Sequence, residues 1–245
     1  MEDPEVIPMF SSPLFNVQVE EDTDELNESN SYYIGSSQQG NVNKTDYSFR
    51  ILDRHPRIKN ILLSYWKRVN SEYLFNECEH IITTSWITKT EKSEYSQVHW
   101  HKNSYFSAVY YHGEYDDKCG DIMFQSPLEK FNDFYTPSSR QNNIFNSDVW
   151  GIKPKKNKLI FFPSYVSHQI SGHDSDLTRY SLAFNICPVG KYGLGDSFID
   201  TNWYGEKPNI KENLIEEKIE SNTGWSFDML SGNKNTNNMY PGDHQ

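Results

Sequence analysis

Six short apolar runs separated by turn residues dominate the middle of the chain. They are rich in β-branched and aromatic residues, and segments rich in Gly, Asn, Asp and Pro join them. Between Ile81 and Cys187 they read, in order, IITTSWITKT, SYFSAVYYH, DIMFQ, KLIFFP, VSHQI and RYSLAFNIC. Short strands at short intervals are typical of antiparallel sandwiches and barrels. The sequence therefore predicts a mainly β fold.

Helical periodicity precedes these strands. In HPRIKNILLSYWKRVNSEYLF, large apolar residues recur at intervals of three and four, as in an amphipathic helix. We expect this helix to pack on a sheet, after a shorter helix near Asp22. The segment from Pro127 to Lys156 is too long for a plain hairpin and is predicted to be a loop covering the mouth of a site. The apolar positions of the main helix are Ile58, Leu62, Tyr65, Trp66, Val69 and Tyr73.

The chain is interpreted as one domain with decorated ends. Its 245 residues are enough to bury a sizeable core. We expect a domain over residues 1–205, with a core at about 81–188 and helical and loop decoration over 1–80. Residues 206–245 are polar, so they predict a C-terminal extension, with a helix near 211–221.

Composition excludes several classes of partner. The formal net charge of −11 argues against nucleic acid, because binding phosphates requires clustered Lys and Arg. Three cysteines without a CxxC pattern indicate neither a disulfide framework nor a zinc knuckle. The N-terminal stretch lacks the features of a signal peptide, and no run has the length of a membrane span. We expect a cytoplasmic protein, in the host cytoplasm if viral, with no membrane partner.

Two histidines stand at the start of one strand-like run, in QVHWHKNSYFSAVYYHGEY. Because a strand alternates its faces, His99 and His101 point the same way if the segment is extended. Two imidazoles on one face can offer two nitrogen ligands to one metal ion. By contrast, His112 and His173 occupy turn-like positions and are expected to face solvent.

A second group of functional side chains lies in LIFFPSYVSHQISGHDSDLTRYSLAFNI. A hairpin is expected to bring His168, Arg179 and Ser181 toward one cavity. Imidazoles hold Fe(II) well and leave positions open for an oxoacid and oxygen. An Arg fork beside a hydroxyl suits the second carboxylate of a cosubstrate such as 2-oxoglutarate.

The order of these motifs resembles the Fe(II)- and 2-oxoglutarate-dependent oxygenases over about residues 81–188. More narrowly, it is similar to an oxygenase family, common in cyanophages and marine bacteria, whose strand reads HxHxNSxxSGxYY. The resemblance implies a double-stranded β-helix, a jelly-roll or cupin-like barrel, with helices backing one sheet. It also implies an enzyme that uses O2 to hydroxylate a C–H bond, with a prolyl residue of a peptide or protein as the first substrate class to test.

The same resemblance assigns roles to individual residues. The metal ligands would be His99, His101 and His168, and no catalytic residue is implied beyond this metal centre. The distal carboxylate of 2-oxoglutarate would be bound by Arg179, Ser181 and Tyr111, whereas Tyr110 would point to the other face.

Two positions depart from the family pattern. The broad superfamily usually has Asp or Glu where this chain has His101, and the narrow family commonly has Gly at Ala108. A neutral third ligand leaves the metal more positive and alters selection among Fe, Mn and Zn. If His101 is not a ligand, either Asp121 or a water would complete the site.

Two other classes of function fit the same features. One is a cupin-like protein that binds metal without turnover or binds none. The other is a structural phage or cell-surface protein, for which an aromatic-rich β fold would also serve.

Overall fold

The apolar runs and the amphipathic segment fold largely as their periodicities predict. A computed structural model describes residues 11–35, 49–128, 140–141, 143 and 146–202. The helices are α1 Ile51–Arg54 and α2 Pro56–Val69, with 3-10 helices at Asp24–Tyr32 and Gly195–Ser197 and a π-helical turn at Asn70–Leu74. The strands are β1 Phe15–Gln18, β2 Ile34–Gly35, β3 Glu79–Thr90, β4 Phe106–Tyr110, β5 Ile122–Gln125, β6 Val149–Ile152, β7 Lys158–Pro163, β8 His168–Ile170, β9 Arg179–Val189, β10 Lys191–Tyr192 and β11 Ile199–Asp200.

Two sheets carry the fold. The major sheet has the order β1-β7-β4-β9-β3-β2, and the minor sheet has the order β6-β5-β8. An isolated antiparallel bridge between His99 and His168 adds the segment around His99 to the edge of the minor sheet. Outside both sheets, β10 and β11 pair with each other.

Helix α2 covers the outer face of the major sheet. It starts with Pro56 at its first position, where a missing N–H costs nothing, and it buries Trp66 completely. The Trp66 ring contacts Phe106 of β4 and Phe161 of β7, with ring centroids 4.8 and 5.5 Å apart. The prediction of a helix packed on a sheet is confirmed, although Tyr73 lies beyond the end of α2 and is exposed.

The second core lies between the two sheets. It combines residues from both, because the alternate positions of each strand point to opposite faces. From the major sheet come Val109, Tyr111, Ile160, Phe162 and Ala183, and from the minor sheet and its connections come Ile122, Phe124, Val166 and Ile170.

Two sequence predictions about connections are wrong. His168 and Arg179 do not belong to one hairpin, because β8 pairs with β5 in the minor sheet and β9 lies between β4 and β3 in the major sheet. Their side chains therefore come from facing sheets. The segment 127–156 is more than a loop, because it contains β6, which pairs with β5.

Local patterns missed these connections for a physical reason. A hairpin and a crossing between sheets can join strands of the same composition, and sheet-on-sheet packing decides between them. Strand β6 reads VWGI and is mostly exposed, so it lacks the apolar alternation that marks a half-buried strand.

The described residues belong to one compact unit. The predicted helix at 211–221 and the extension 206–245 lie outside the described residues, and the boundary at 205 stays a prediction. Among the helices of the described residues, none has the length and apolar character needed to cross a membrane.

The prediction that His112 and His173 face solvent is wrong, since they are 1% and 0% exposed. His112 Nε2–H donates to Asn30 Oδ1 over 2.9 Å. His173 Nε2–H donates to the Leu177 carbonyl over 2.8 Å. Buried polar groups need such partners, and a partner as distant in sequence as Asn30 is from His112 is invisible to a local reading of turns.

His112 makes stability depend on pH. Burial lowers its pKa from 6.5 to about 4. The unfolded chain therefore takes up a proton near pH 6.5 that the folded chain refuses until about pH 4. The contribution of His112 to the free energy of unfolding is complete above pH 6.5 and is lost as the pH falls toward 4.

The substitution His112→Gln keeps an N–H donor for Asn30 but removes the titrating group. When the pH falls from 7 to 5, we expect the free energy of unfolding to drop by about 2 kcal/mol less in this variant than in the parent. Urea denaturation of both proteins at the two pH values measures the difference. Other buried histidines contribute equally to both proteins and cancel. An equal drop in the two proteins would contradict the lowered pKa of His112.

Candidate functional site: a three-histidine cluster and a buried arginine

Three histidines converge at the edge of the minor sheet. The N–H groups of His99 and His168 each donate to the other residue's carbonyl over 2.9 Å, and the His101 N–H donates to the Ser164 carbonyl over 3.0 Å. Ring nitrogens of the three histidines all lie within 4.8 Å of one another. The structure thus brings together the three side chains predicted to bind metal.

Hydrogen bonds fix the tautomers of two of these rings. His99 Nδ1 lies 2.8 Å from the Gln97 carbonyl oxygen, and His168 Nδ1 lies 3.0 Å from that of Val166. Because a carbonyl oxygen only accepts, both Nδ1 atoms carry the proton and donate it. The lone pair of each ring is therefore on Nε2, where it is available to a metal ion.

Burial keeps two of the rings neutral. It lowers the pKa of His101 to about 4 and that of His168 to about 3, with a smaller contribution from the neighbouring His99. A protonated imidazole cannot bind a metal ion, so neutral rings are ready to bind one near pH 7 without releasing protons. Three imidazole nitrogen donors at this spacing fit Fe(II), Mn(II) or Zn(II).

Asp121 lies outside this cluster. One of its carboxylate oxygens is 3.8 Å from Lys153 Nζ, on the side of β6. Among the described residues, the group of His, Cys, Asp or Glu side chains with metal-binding spacing consists of the three histidines alone. The geometry favours His101 over Asp121 as the third ligand.

Arg179 is the second feature of the site. It is 0% exposed and lies on the same inward face as Ser181. Its Nη1 donates to Ser181 Oγ over 3.3 Å, its Nη2 to Tyr111 Oη over 3.2 Å, and its Nε to the Gly120 carbonyl over 3.0 Å. The structure thus also brings together the three residues predicted to bind the distal carboxylate.

No acidic side chain among the described residues pairs with Arg179 within salt-bridge distance. Its three hydrogen-bond acceptors are all neutral, because burial raises the pKa of Tyr111 despite the guanidinium beside it. A buried cation without a counter-ion is unfavourable, and an incoming anion would remove that cost. This donor set, lined by two hydroxyls, fits a carboxylate.

Tyr110 points to the other face, as predicted. Its hydroxyl contacts Thr23 Oγ1 at 2.5 Å and donates to Asn157 Oδ1 over 3.0 Å, outside the core that contains Tyr111. The adjacent tyrosines therefore serve opposite sides of the major sheet.

Sequence reasoning missed the support of Arg179. Gly120, whose carbonyl accepts from Arg179, donates its own N–H to His173 Nδ1 over 3.2 Å. His173 therefore has a hydrogen-bond partner on each ring nitrogen, Gly120 on Nδ1 and Leu177 on Nε2. These bonds connect the turn before β5 to the loop before β9. The sequence signal that could have indicated this support is His173, which lies shortly before the Arg-x-Ser motif of Arg179 and Ser181.

A cavity of about 640 Å³ opens beside His101. Its wall includes the exposed aromatic residues Trp100, Tyr105 and Tyr165, as well as Lys102. Trp100 neighbours two inward-pointing histidines and is itself 53% exposed. The cavity therefore offers an aromatic surface that adjoins His101 of the cluster, whereas His99 and His168 do not line it.

The two facing sheets form a fold of the double-stranded β-helix class, and the histidine cluster is a candidate metal site at its edge. Residues 84–185 match the family model described as "Putative 2OG-Fe(II) oxygenase". This segment is therefore similar to the 2OG-Fe(II) oxygenases, the family that the model describes. The predicted fold class is confirmed, and the match agrees with the predicted enzyme class and with Fe(II) and 2-oxoglutarate as the predicted cofactors.

Similar solved structures are distant in sequence. The α-ketoglutarate-dependent carbocyclase SnoK from nogalamycin biosynthesis is 11% identical with a TM-score of 0.50, and the match covers 76% of this chain and 84% of SnoK. A Trichoplax adhaerens prolyl hydroxylase in complex with a peptide fragment is 14% identical with a TM-score of 0.44, and the match covers 71% and 82% of the two chains.

A shorter match involves a 2OG-Fe(II) oxygenase family oxidoreductase from Burkholderia pseudomallei. It is 15% identical with a TM-score of 0.35, and it covers 45% of this chain and 46% of that protein. No curated protein sequence matches this chain.

The close packing at Gly120 generates a prediction. A Cβ atom at this position would lie 2.5 Å from the Ser171 carbonyl oxygen, which is backbone and cannot swing away. We expect Gly120→Ala to lower the free energy of unfolding by about 1–3 kcal/mol, as overpacking does. Urea denaturation measures the change.

Gly172→Ala is the matched control, because a Cβ there meets no atom within 4 Å. It should be neutral or stabilise by up to about 1 kcal/mol. Equal effects of the two substitutions would show that Gly120 is not tightly packed.

Proposed function

We propose that the chain is a non-haem Fe(II)- and 2-oxoglutarate-dependent dioxygenase that hydroxylates a C–H bond. The observation that carries this proposal is the combination, within one two-sheet core, of three clustered imidazoles and a buried arginine without an acidic partner. A barrel that only bound a metal ion would have no need of that arginine.

In this proposal His99, His101 and His168 hold the metal ion. Two rings from the segment before β4 and one from β8 supply three nitrogen donors and leave the remaining positions to cosubstrate and oxygen. A metal ion held there would supply the O2 chemistry by which oxidative decarboxylation of 2-oxoglutarate is coupled to oxidation of the substrate. Three neutral ligands leave the metal with more positive charge than a set that includes a carboxylate.

Arg179 is proposed to orient the cosubstrate. Its guanidinium would pair with the distal carboxylate, and the hydroxyls of Ser181 and Tyr111, which already contact it, would donate to the same group. Because Gly120 holds Nε, the guanidinium plane is fixed before the anion arrives. Such preorganisation lowers the entropy cost of binding.

The first prediction of this proposal concerns the metal site. We expect His99→Ala and His168→Ala to abolish Fe(II) and Mn(II) binding. His101→Ala should weaken binding by more than about 100-fold, since even outer hydrogen-bond partners of metal ligands contribute about 10–100-fold. His101→Asp, which restores the commoner ligand set, should retain the metal.

Anaerobic metal analysis and Mn(II) calorimetry measure these affinities, with His112→Gln as a folded histidine control remote from the cluster. If His101→Ala binds metal as tightly as the parent, His101 is not a ligand. Unchanged binding in all three alanine variants would exclude the site.

The second prediction concerns Arg179. We expect Arg179→Ala to weaken 2-oxoglutarate binding to the Mn(II)-loaded protein by about 2–5 kcal/mol, and Arg179→Lys to weaken it less, while Mn(II) affinity stays unchanged. Calorimetry reports both affinities. A parent that takes up metal but not 2-oxoglutarate would favour the cupin-like binder.

As the substrate we propose a prolyl residue of a peptide or protein. The support is the open aromatic cavity beside His101, since aromatic side chains are well suited to contact the apolar ring of proline. Proline-containing peptides incubated with Fe(II), 2-oxoglutarate and O2 should gain the mass of one oxygen atom. Unmodified peptides under conditions that consume 2-oxoglutarate would exclude prolyl hydroxylation but not the oxygenase.

We also propose that the enzyme works in the cytoplasm. The support is that Cys78, Cys119 and Cys187 are all free thiols, as is usual in a reducing compartment.

A further inference from the structure

Strand β3 forms one wall of the site, and its inward side chains are polar apart from one tryptophan. The register with β9 places each of them directly opposite an inward residue of that strand. Trp86 lies beside the metal cluster, 5.3 Å from His101 between ring centroids. From the cluster toward the arginine, the opposed pairs are Thr84 with Asn185, Trp86 with Ala183, Thr88 with Ser181, and Thr90 with Arg179.

Thr90 stands out in this row. It is 0% exposed, and its hydroxyl has no hydrogen-bond partner within the described part of the chain. Burying a hydroxyl without a partner costs free energy. Thr23, also buried, shows the usual arrangement, since its Oγ1 contacts the Tyr110 hydroxyl at 2.5 Å.

Thr90 and Arg179 face each other on the same side of the sheet. Side chains directly opposite in an antiparallel pair have Cβ atoms about 5 Å apart. Thr90 carries a buried hydroxyl without a hydrogen-bond partner among the described residues. Arg179 is a buried cation without an acidic partner among the same residues. A single carboxylate between β3 and β9 would satisfy both.

We propose that Thr90 binds the cosubstrate, with its hydroxyl donating a hydrogen bond to the distal carboxylate that Arg179 holds. This inference rests on the proposed function and adds a donor from β3 to those from β9 and from Tyr111. A carboxylate has about four acceptor positions, so it can accept from the guanidinium and from several hydroxyls at once. The binding site would then span the junction of two strands.

The test is calorimetry of 2-oxoglutarate binding to the Mn(II)-loaded full-length protein. Thr90→Val keeps the shape of the side chain and removes the hydroxyl, so we expect about 10-fold weaker binding of 2-oxoglutarate. Thr90→Ser keeps the hydroxyl and should stay within about threefold of the parent. Mn(II) affinity should not change in either variant.

A second ligand isolates the distal end. 2-Oxopentanoate has the same keto-acid group and chain length but no second carboxylate, so Thr90→Val should bind it as the parent does. Weaker binding of both ligands by Thr90→Val would place the effect at the metal or in the general packing and would overturn the inference.

The Tm of Thr90→Val distinguishes a binding role from a purely structural one. If the Thr90 hydroxyl only stabilised the fold, its removal would lower the Tm of the metal-free protein. Removing an unpartnered buried hydroxyl should raise the Tm of the metal-free protein or leave it unchanged, while the increase in Tm caused by Mn(II) and 2-oxoglutarate becomes smaller. Thr23→Val is the control, because it removes a partnered hydroxyl and should lower Tm without affecting 2-oxoglutarate.

The outcomes separate this inference from the proposed function. If the parent binds 2-oxoglutarate and Thr90→Val binds it equally well, the role of Thr90 is wrong and the oxygenase assignment stands. If the Mn(II)-loaded parent binds no 2-oxoglutarate, both are overturned.

Discussion

The reciprocal backbone hydrogen bonds between His99 and His168 hold the functional centre together. They attach the segment around His99 to the edge of the minor sheet, with both N–H···O distances at 2.9 Å. Because alternate residues share a face, His101 then points toward the same place as His99. Two imidazoles from one strand edge thereby meet a third from β8. The carbonyls of Gln97 and Val166 orient two of these rings through Nδ1, so backbone geometry determines which nitrogen is free.

The major sheet provides the opposite wall and the arginine. Its outer face is covered by α2 and Trp66, so its inner face can carry polar groups without weakening the main core. Arg179 is held there by neutral partners, at a cost in desolvation that the free protein bears. Ligand binding explains this buried arginine better than stability does, because a protein with a neutral residue of similar volume at this position would be at least as stable. The account therefore depends on the arrival of an anion.

Strand spacing predicted a mainly β fold, and the resemblance to the oxygenases supplied the double-stranded β-helix and the set of residues that cluster. Alternation correctly placed His99 with His101 and Arg179 with Ser181, because the two-residue period of a strand is local. The crossing from β8 to β9 was not predictable in this way, because packing between sheets decides it. The burial of His112 and His173 and the row containing Thr90 were missed for a related reason. Asn30 contacts His112, Gly120 contacts His173, and Arg179 faces Thr90. These partners are distant in sequence, and only the tertiary fold brings them together.

The most direct test of this account is a crystal structure of the protein soaked anaerobically with Mn(II) and 2-oxoglutarate, with the metal located by anomalous scattering. We predict one metal ion bound by nitrogen atoms of His99, His101 and His168. We also predict a 2-oxoglutarate molecule whose keto-acid end chelates that ion and whose distal carboxylate contacts Arg179. A metal ion elsewhere, or a cosubstrate whose distal carboxylate does not reach Arg179, would contradict the account.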